Sequence, residues 1–304
     1  MVTKKKIGVL MGGISSERDV SLATGAAILN ALRLKGYDAV GIDINRNAPE
    51  QIGKAGIEVA FIGLHGKLGE DGAIQGMLEV MGIPYTGSGI LASALGMDKA
   101  AAKIIFKAAG LMVGPYALLS REGRDKAGAV LKNEIGLPAV IKPRAEGSSV
   151  GVSIASRESE VGPALDHAFS YGRDVLIERY IKGREVQVGI LGDRALGAIE
   201  IVPKQAFYDY KAKYEPGMSE HFFPARLSED VYRSTLDAGL TAHKAIGCRG
   251  YSRVDFIIDD KGTPYILEVN TLPGMTSRSL LPEIAKGVGI SFPDLVEEIL
   301  RLAL

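Results

Sequence analysis

Apolar and polar positions along the chain fall into three successive textures. The first alternates short apolar runs with helical stretches. "KIGVLMGG" reads as a buried strand entering a glycine turn, followed by a helix over "SSERDVSLATGAAILNALRLKG". Ser15 or Ser16 is placed to cap that helix, and Gly36 follows its end. "DAVGIDI" and "EVAFIGLHG" are further strands, and "DGAIQGMLEVMG" is helical before the turn at Ile83–Pro84. Strands alternating with helices predict a small parallel sheet. Sites in such sheets lie at the carboxyl ends of the strands, here Gly12–Glu17 and His65–Asp71.

From Met97 the pattern changes. "MDKAAAKIIFKAAG" is an alanine- and lysine-rich helix, then "YALLS", "PAVIKP", "VGVSIA" and "DVLIERYI" read as strands around a helix at Glu158–Tyr171. A third region opens with the strands "EVQVGILGD" and "ALGAIEIV" and passes through a tyrosine-rich polar segment, Pro203 to Pro224. A helix at Ser228–Gly247, a hairpin at Tyr251–Asn270 and a closing helix at Pro293–Leu304 complete it. The fold class expected is mixed: α/β at the N-terminus over residues 1–96, then α+β units over 97–181 and 182–304.

Composition narrows the function. The 304 residues carry 36 basic and 36 acidic side chains, so no global field favours nucleic acid or an anionic membrane. No run of about 18 apolar residues exists to cross a bilayer. A single cysteine, Cys248, excludes an internal disulfide and suits a reducing compartment, so a cytoplasmic protein is expected.

Candidate chemistry concentrates in two places. In "RVDFIIDDKGTPYILEVN", pairing Asp259 with Pro264 sets Asp255 opposite Glu268 and Arg253 opposite Asn270. These four then share one face of the hairpin, while Val254, Phe256, Leu267 and Val269 share the other. Opposed carboxylates repel unless a cation lies between them, and Mg²⁺ takes carboxylate and phosphate oxygens together. The competing reading is an edge hairpin with a solvated polar face. The second place is "VIKPRAEGSSVGVSI", which is not a G-x-x-x-x-G-K-[ST] loop. Its Gly147, Ser148, Ser149 and Gly151 let backbone N–H groups approach an anion, and Lys142 supplies a point charge beside them.

Taken in order, "GGISSERDVSL", "LHGKLGEDG", "MDKAAAK", "IKPRAEGSSVGVS", "FYDYKAKY", "SRVDF" and "LEVNTLPGMTSRS" resemble the ATP-grasp enzymes and, within them, the D-alanine–D-alanine ligase family. The resemblance spans essentially the whole chain and implies a three-domain ATP-grasp architecture with ATP between the central and C-terminal sheets. It places Lys99 and Lys142 on the phosphates, Ser148 and Ser149 in a cover over them, Glu178, Arg179, Tyr180 and Ile181 at the adenine hinge, and Glu185 on the ribose. Asp255, Glu268 and Asn270 match ligands of two Mg²⁺ ions, with Mn²⁺ as a substitute.

The implied chemistry joins two D-alanines for peptidoglycan precursors. The first carboxylate takes the γ-phosphoryl group to give an acyl phosphate and ADP, and the second amine then displaces phosphate. Glu17 matches the anchor for the first ammonium group and His65 a neighbour of the first substrate. Arg253 and the N–H of Gly274 match the oxyanion donors. Lys213, Ser279 and Leu280 match positions near the second carboxylate, Lys213 also lying beside the nucleotide. Glu17, Ser148 and Tyr214 match a hydrogen-bonded trio closing the site. Tyr214 favours a dipeptide product, since relatives making D-alanyl-D-lactate usually carry phenylalanine there. Relatives are commonly homodimers. The rivals are a ligase taking D-lactate or D-serine second, and a non-catalytic ATP-binding regulator.

The chain departs from the family pattern at Arg144 and Ala145, where Ser-Arg is usual, which moves a positive charge by one position, and at Leu272 and Arg278. Plainer readings exist for several residues. His167, His221 and His243 lack metal spacing, Cys248 suits a small buried filler, and Lys99 and Lys103, one helical turn apart, suit a solvated face.

Overall fold

The computed structural model describes residues 5–203 and 219–304. The predicted parallel sheet is present. β1 (Ile7–Gly12) lies between β2 (Ala39–Ile44) and β3 (Val59–Ile62), both parallel to it. β1 and β3 are nearly continuous apolar runs, as strands buried on both faces require, whereas β2 exposes Gly41 and Asp43 at alternate positions. Helix α1 (Arg18–Leu34) packs on β1, and Gly25 makes this possible, because a Cβ there would lie 2.4 Å from Cβ of Met11. Helices α2 (Ala48–Ala55) and α3 (Ala73–Val80) complete the layer.

α4 (Ile90–Met97) and α5 (Lys99–Ala108) lead out of it, separated by Asp98, whose carboxylate caps α5 by accepting from the N–H groups of Ala100 and Ala101 at 3.1 Å. A four-stranded antiparallel sheet follows, in the order β4 (Tyr116–Ser120), β7 (Asp174–Arg179), β5 (Ala139–Pro143), β6 (Ser153–Ala155). The short α6 (Ala127–Val130) and α7 (Glu158–Phe169) flank it. The last sheet runs β10 (Ser219–Phe222), β9 (Arg194–Pro203), β8 (Arg184–Leu191), β11 (Tyr251–Ile258), β12 (Pro264–Asn270), all antiparallel. Helices α8 (Glu229–Ala245), α9 (Leu280–Gly287) and α10 (Phe292–Arg301) complete the chain.

Several local expectations are corrected. Neither Ser15 nor Ser16 caps α1. The helix begins at Arg18 with Glu17 in the capping position, while the Ser15 hydroxyl is drawn to the carbonyl of His65 at 2.7 Å. The hairpin keeps its expected register at the site, Arg253 against Asn270 and Asp255 against Glu268, but a bulge follows. Phe256 then pairs with Ile266, and Ile258 rather than Asp259 meets Pro264. The extra residue is Leu267, so Ile266 takes the core-facing place assigned to Leu267. Helices α2, α4, α6 and α9 were not expected. Lys99 and Lys103 are buried, not on a solvated face.

Candidate active site

Two cavities meet in the middle of the molecule. The larger, about 500 Å³, lies between the two antiparallel sheets, under the loop after β5 and against the segment that leaves β7. The other, about 430 Å³, lies between the start of α1, the end of β12 and the start of α9. Lys99, Glu146, Gly147 and Glu268 line both, so these four residues form their common wall.

The first cavity gathers three lysines, Lys99, Lys103 and Lys142, on its wall. Lys142, near the end of β5, places Nζ 2.9 Å from Oε1 of Glu178, and Lys103 places Nζ 3.2 Å from Oε2 of the same carboxylate. Burial would raise the Glu178 carboxyl, but the two lysines outweigh it and hold it below its ordinary range. Lys103 lies deeper, 1% exposed, and burial pulls it below the usual lysine range in spite of Glu178. Two ammonium groups thus share one anion, which leaves positive charge for a phosphate. The side chain of Glu178 neutralises these lysines, and the hinge expected at Glu178–Ile181 would read adenine through backbone groups. The N–H groups of Arg179 and Tyr180 are committed to the carbonyls of Pro115 and Pro138, at 2.9 and 3.0 Å. Tyr180, Ile181 and Glu185 line the cavity mouth.

Lys99 stands at the junction. Its Nζ lies 3.0 Å from Glu268 Oε2 and donates to the carbonyl of Glu146 at 2.7 Å. Burial opposes its charge, yet Glu268 prevails and Lys99 is held above the ordinary lysine value. Above it Ser148 (φ 49°), Ser149 (φ 58°) and Gly151 (φ 71°) adopt left-handed backbone, unusual for serine and consistent with amides turned to one side. The Ser148 hydroxyl donates to Glu17, tying the glycine-serine loop to the residue that precedes α1.

The second cavity gathers the remaining residues. Arg253 presents its fork to Asp255, Nε to Oδ1 at 2.8 Å and Nη2 to Oδ2 at 2.9 Å, and so is fixed against the wall. His65 is held by Thr24 Oγ1 at 3.0 Å and Glu70 Oε1 at 3.2 Å. Gly274 approaches Ser279 so closely that a Cβ would lie 2.8 Å from its hydroxyl. Ser279 and Leu280 begin α9, whose N-terminal amides favour a carboxylate. Glu17, Ser148, Arg253, Gly274, Ser279 and Leu280 therefore share one cavity, with His65 on its edge. Lys213 and Tyr214 lie outside the described residues.

Asp255 and Glu268 are cross-strand neighbours with Asn270 two pairs along on the same face, as the hairpin pattern implied. Among the described residues no cluster of three His, Cys, Asp or Glu side chains is arranged to hold a metal. The set is two carboxylates and one amide, whose Oδ1 accepts from the N–H of Leu272 at 3.0 Å. These hard oxygens suit Mg²⁺ when phosphate oxygens complete the shell.

The local pattern missed some residues. Glu70 orients His65, and Gln187, directly across β11 from Asp255, has a buried side-chain oxygen without a hydrogen-bond partner. A polar residue inside the apolar strand "EVQVGIL" was the available signal.

A nucleotide-sized cavity between two antiparallel sheets, roofed by a serine-glycine loop and floored by lysines, defines an ATP-grasp enzyme. A family model described as D-ala D-ala ligase C-terminus matches residues 105–301, and one described as D-ala D-ala ligase N-terminus matches residues 46–88. A D-alanine–D-alanine ligase of Geotalea uraniireducens is 62% identical over 299 residues, covering 98% of this chain and 96% of the relative. That of Citrifermentans bemidjiense is 57% identical, covering 99% and 96%. Among solved structures, the D-alanine–D-alanine ligase of Bacillus anthracis complexed with ATP superposes with a TM-score of 0.84 at 36% identity, covering 98% of this chain and 96% of that one. A D-Ala:D-Ser ligase of Enterococcus faecalis superposes at 0.87 with 30% identity, covering 99% of each. The chain belongs to the D-alanine–D-alanine ligase family.

Proposed function

We propose that this chain joins two D-alanines at the expense of ATP, giving D-alanyl-D-alanine, ADP and phosphate for peptidoglycan precursors. The observation that carries the reading is the junction of the two cavities at Lys99 and Glu268. A triphosphate entering between the antiparallel sheets ends where an amino acid carboxylate from the other cavity can meet it. Lys142 and Lys99 take the phosphate charge, and the backbone of Ser148 and Ser149 closes over it. Asp255, Glu268 and Asn270 would hold magnesium, which supplies charge neutralisation on the transferring group.

Glu17 receives the ammonium group of the first substrate. Arg253 and the N–H of Gly274 stabilise the oxyanion when the second amine attacks the acyl phosphate. The N-terminus of α9, with Ser279, receives the second carboxylate. Asp255 keeps Arg253 in place by both oxygens, so the donor is positioned before charge develops. The Ser148–Glu17 bond closes the roof only when the first domain and the phosphate loop approach, which keeps water from the acyl phosphate.

The test is ADP release with D-alanine, L-alanine and D-lactate, with products weighed by mass spectrometry. Release dependent on D-alanine with a D-alanyl-D-alanine product is expected, and Glu268→Gln lowers kcat by at least about 100-fold while the protein still melts cooperatively. ADP release indifferent to D-alanine would instead support a nucleotide-binding regulator, and a depsipeptide product a D-lactate ligase.

A further inference from the structure

Arg144 follows the last residue of β5 and precedes the glycine-serine loop, where its charge invites the role of another phosphate ligand. Its contacts are of a different kind. Nε donates to Asp98 Oδ1 at 2.9 Å and Nη2 to Asp98 Oδ2 at 2.6 Å, a two-pronged fork, while Nη1 reaches Asp174 Oδ2 at 3.0 Å. Asp98 is the cap of α5, and Asp174 is the first residue of β7, the strand that ends at the nucleotide hinge. The backbone repeats the pattern. The N–H of Lys99 donates to the carbonyl of Arg144 at 3.1 Å, and the N–H of Arg144 to the carbonyl of Asp174 at 3.1 Å. Lys99 then adds its own side-chain bond to the carbonyl of Glu146.

We propose that Arg144 is a positioning residue that clamps the base of the phosphate loop to the start of α5, so that Lys99 and the loop amides address the nucleotide phosphates as one rigid unit. Two carboxylates neutralise the guanidinium, which takes its charge away from the phosphates. Asp98 is held below its ordinary range against a burial effect that would raise it, chiefly by its hydrogen bonds with Arg144 and the α5 amides. The fork matters, because a lysine at 144 would present one ammonium point where three directed donors are in use. The clamp also accounts for the departure from the family pattern at residue 144. With Ala145 beside it, the loop base carries one cation, and that cation faces α5.

This inference rests on the nucleotide reading of the larger cavity. Its test is calorimetric binding of a non-hydrolysable ATP analogue, with KM values, for the intact chain, Arg144→Met, Asp98→Asn and the double variant. Asn still caps a helix, so Asp98→Asn removes the ion pair and keeps the cap. Each single variant is expected to weaken analogue binding and raise KM for ATP about tenfold, leaving KM for D-alanine unchanged. The double variant should add little to the effect of Arg144→Met, which already loses the Asp98 pair along with the Asp174 contact. Were Arg144 a direct phosphate ligand, Asp98→Asn would free it and leave binding equal or tighter. That result overturns the proposal, as does unchanged affinity with only a lowered melting temperature. Amide exchange at residues 99–101 gives a readout independent of nucleotide. It should quicken in both single variants, and unchanged exchange overturns the clamp even if the chain binds no ATP. Failure of the intact chain to bind the analogue counts against the nucleotide reading alone.

Discussion

At the scale of single residues, buried polar groups separate those that act from those that brace. His243 on α8 is 2% exposed, and its Nδ1 lies 2.7 Å from the hydroxyl of Ser252, the neighbour of Arg253 on β11. Burial pushes its pKa down to about 4, with Asp193 opposing and Lys244 assisting. The folded chain thus holds the ring neutral where the unfolded chain protonates it. Its contribution to stability is full above the unfolded value of 6.5 and is lost as pH falls towards about 4. At 1.36 kcal/mol per unit the loss is about 3 kcal/mol. Urea unfolding across this pH range should show that slope, and His243→Gln should flatten it; parallel curves for the two proteins would refute the assignment. The sequence marked this histidine as structural only through its lack of metal spacing. Its burial and its hydroxyl partner come from packing between a helix and a strand that no local pattern contains. Lys99 and Lys103 illustrate the same limit, because spacing by one turn fits a wet face and a buried cavity wall equally well.

At the scale of elements, the hairpin β11–β12 was legible where it matters and not beyond. Period-two alternation sets Asp255 opposite Glu268, since a one-residue slip would turn the slipped strand's carboxylate to the core. Counting back from the observed turn pair, Ile258 with Pro264, reaches Glu268 only through the bulge. The bulge could not be seen, because Ile266 and Leu267 are both apolar and either could face inward. The structure buries Ile266 in the core with Phe256 and Val254 and leaves Leu267 half-buried, although both line the larger cavity. The two leucine-sized residues should therefore respond differently to truncation. Ile266→Ala is expected to cost about 2–5 kcal/mol in urea unfolding, as core truncations do. Leu267→Ala should cost under about 1 kcal/mol and raise KM for ATP roughly fivefold, by loss of apolar contact with the nucleotide. A large stability loss at Leu267 with KM unchanged would mean the bulge is misplaced. The unforeseen α9 is a related case. Eight residues with an internal proline give little periodic signal, yet its start forms one wall of the second cavity.

At the scale of the whole molecule, the cores do not follow chain order. The first core joins β1–β3 to residues near the other end of the sequence, with Leu295, Val296, Ile299 and Leu300 of α10 all fully buried in it. Lys35 pairs with Asp294, and Tyr37 donates to Glu297 at 2.8 Å across the same contact. The core under β4–β7, by contrast, draws among the described residues on side chains from Ala117 to Ile177. A closing helix could be read from sequence, but its partner could not, because nothing local in "FPDLVEEILR" says which sheet receives its apolar stripe. The consequence concerns cooperativity. The N-terminal sheet and α10 should open together, since neither buries its apolar face without the other, whereas the central body can open by itself. Hydrogen exchange on the nucleotide-free chain should then give one protection level shared by β1, β3 and α10 and a lower one for β5 and β7. Leu300→Ala should lower the first level without moving the second. An ATP analogue bound as proposed, against Lys142 on the central body and Lys99 beyond it, should bring the two levels together. A single level throughout, or loss of central protection in Leu300→Ala, would mean that all three sheets unfold as one unit and that the roof over the phosphates cannot move by itself.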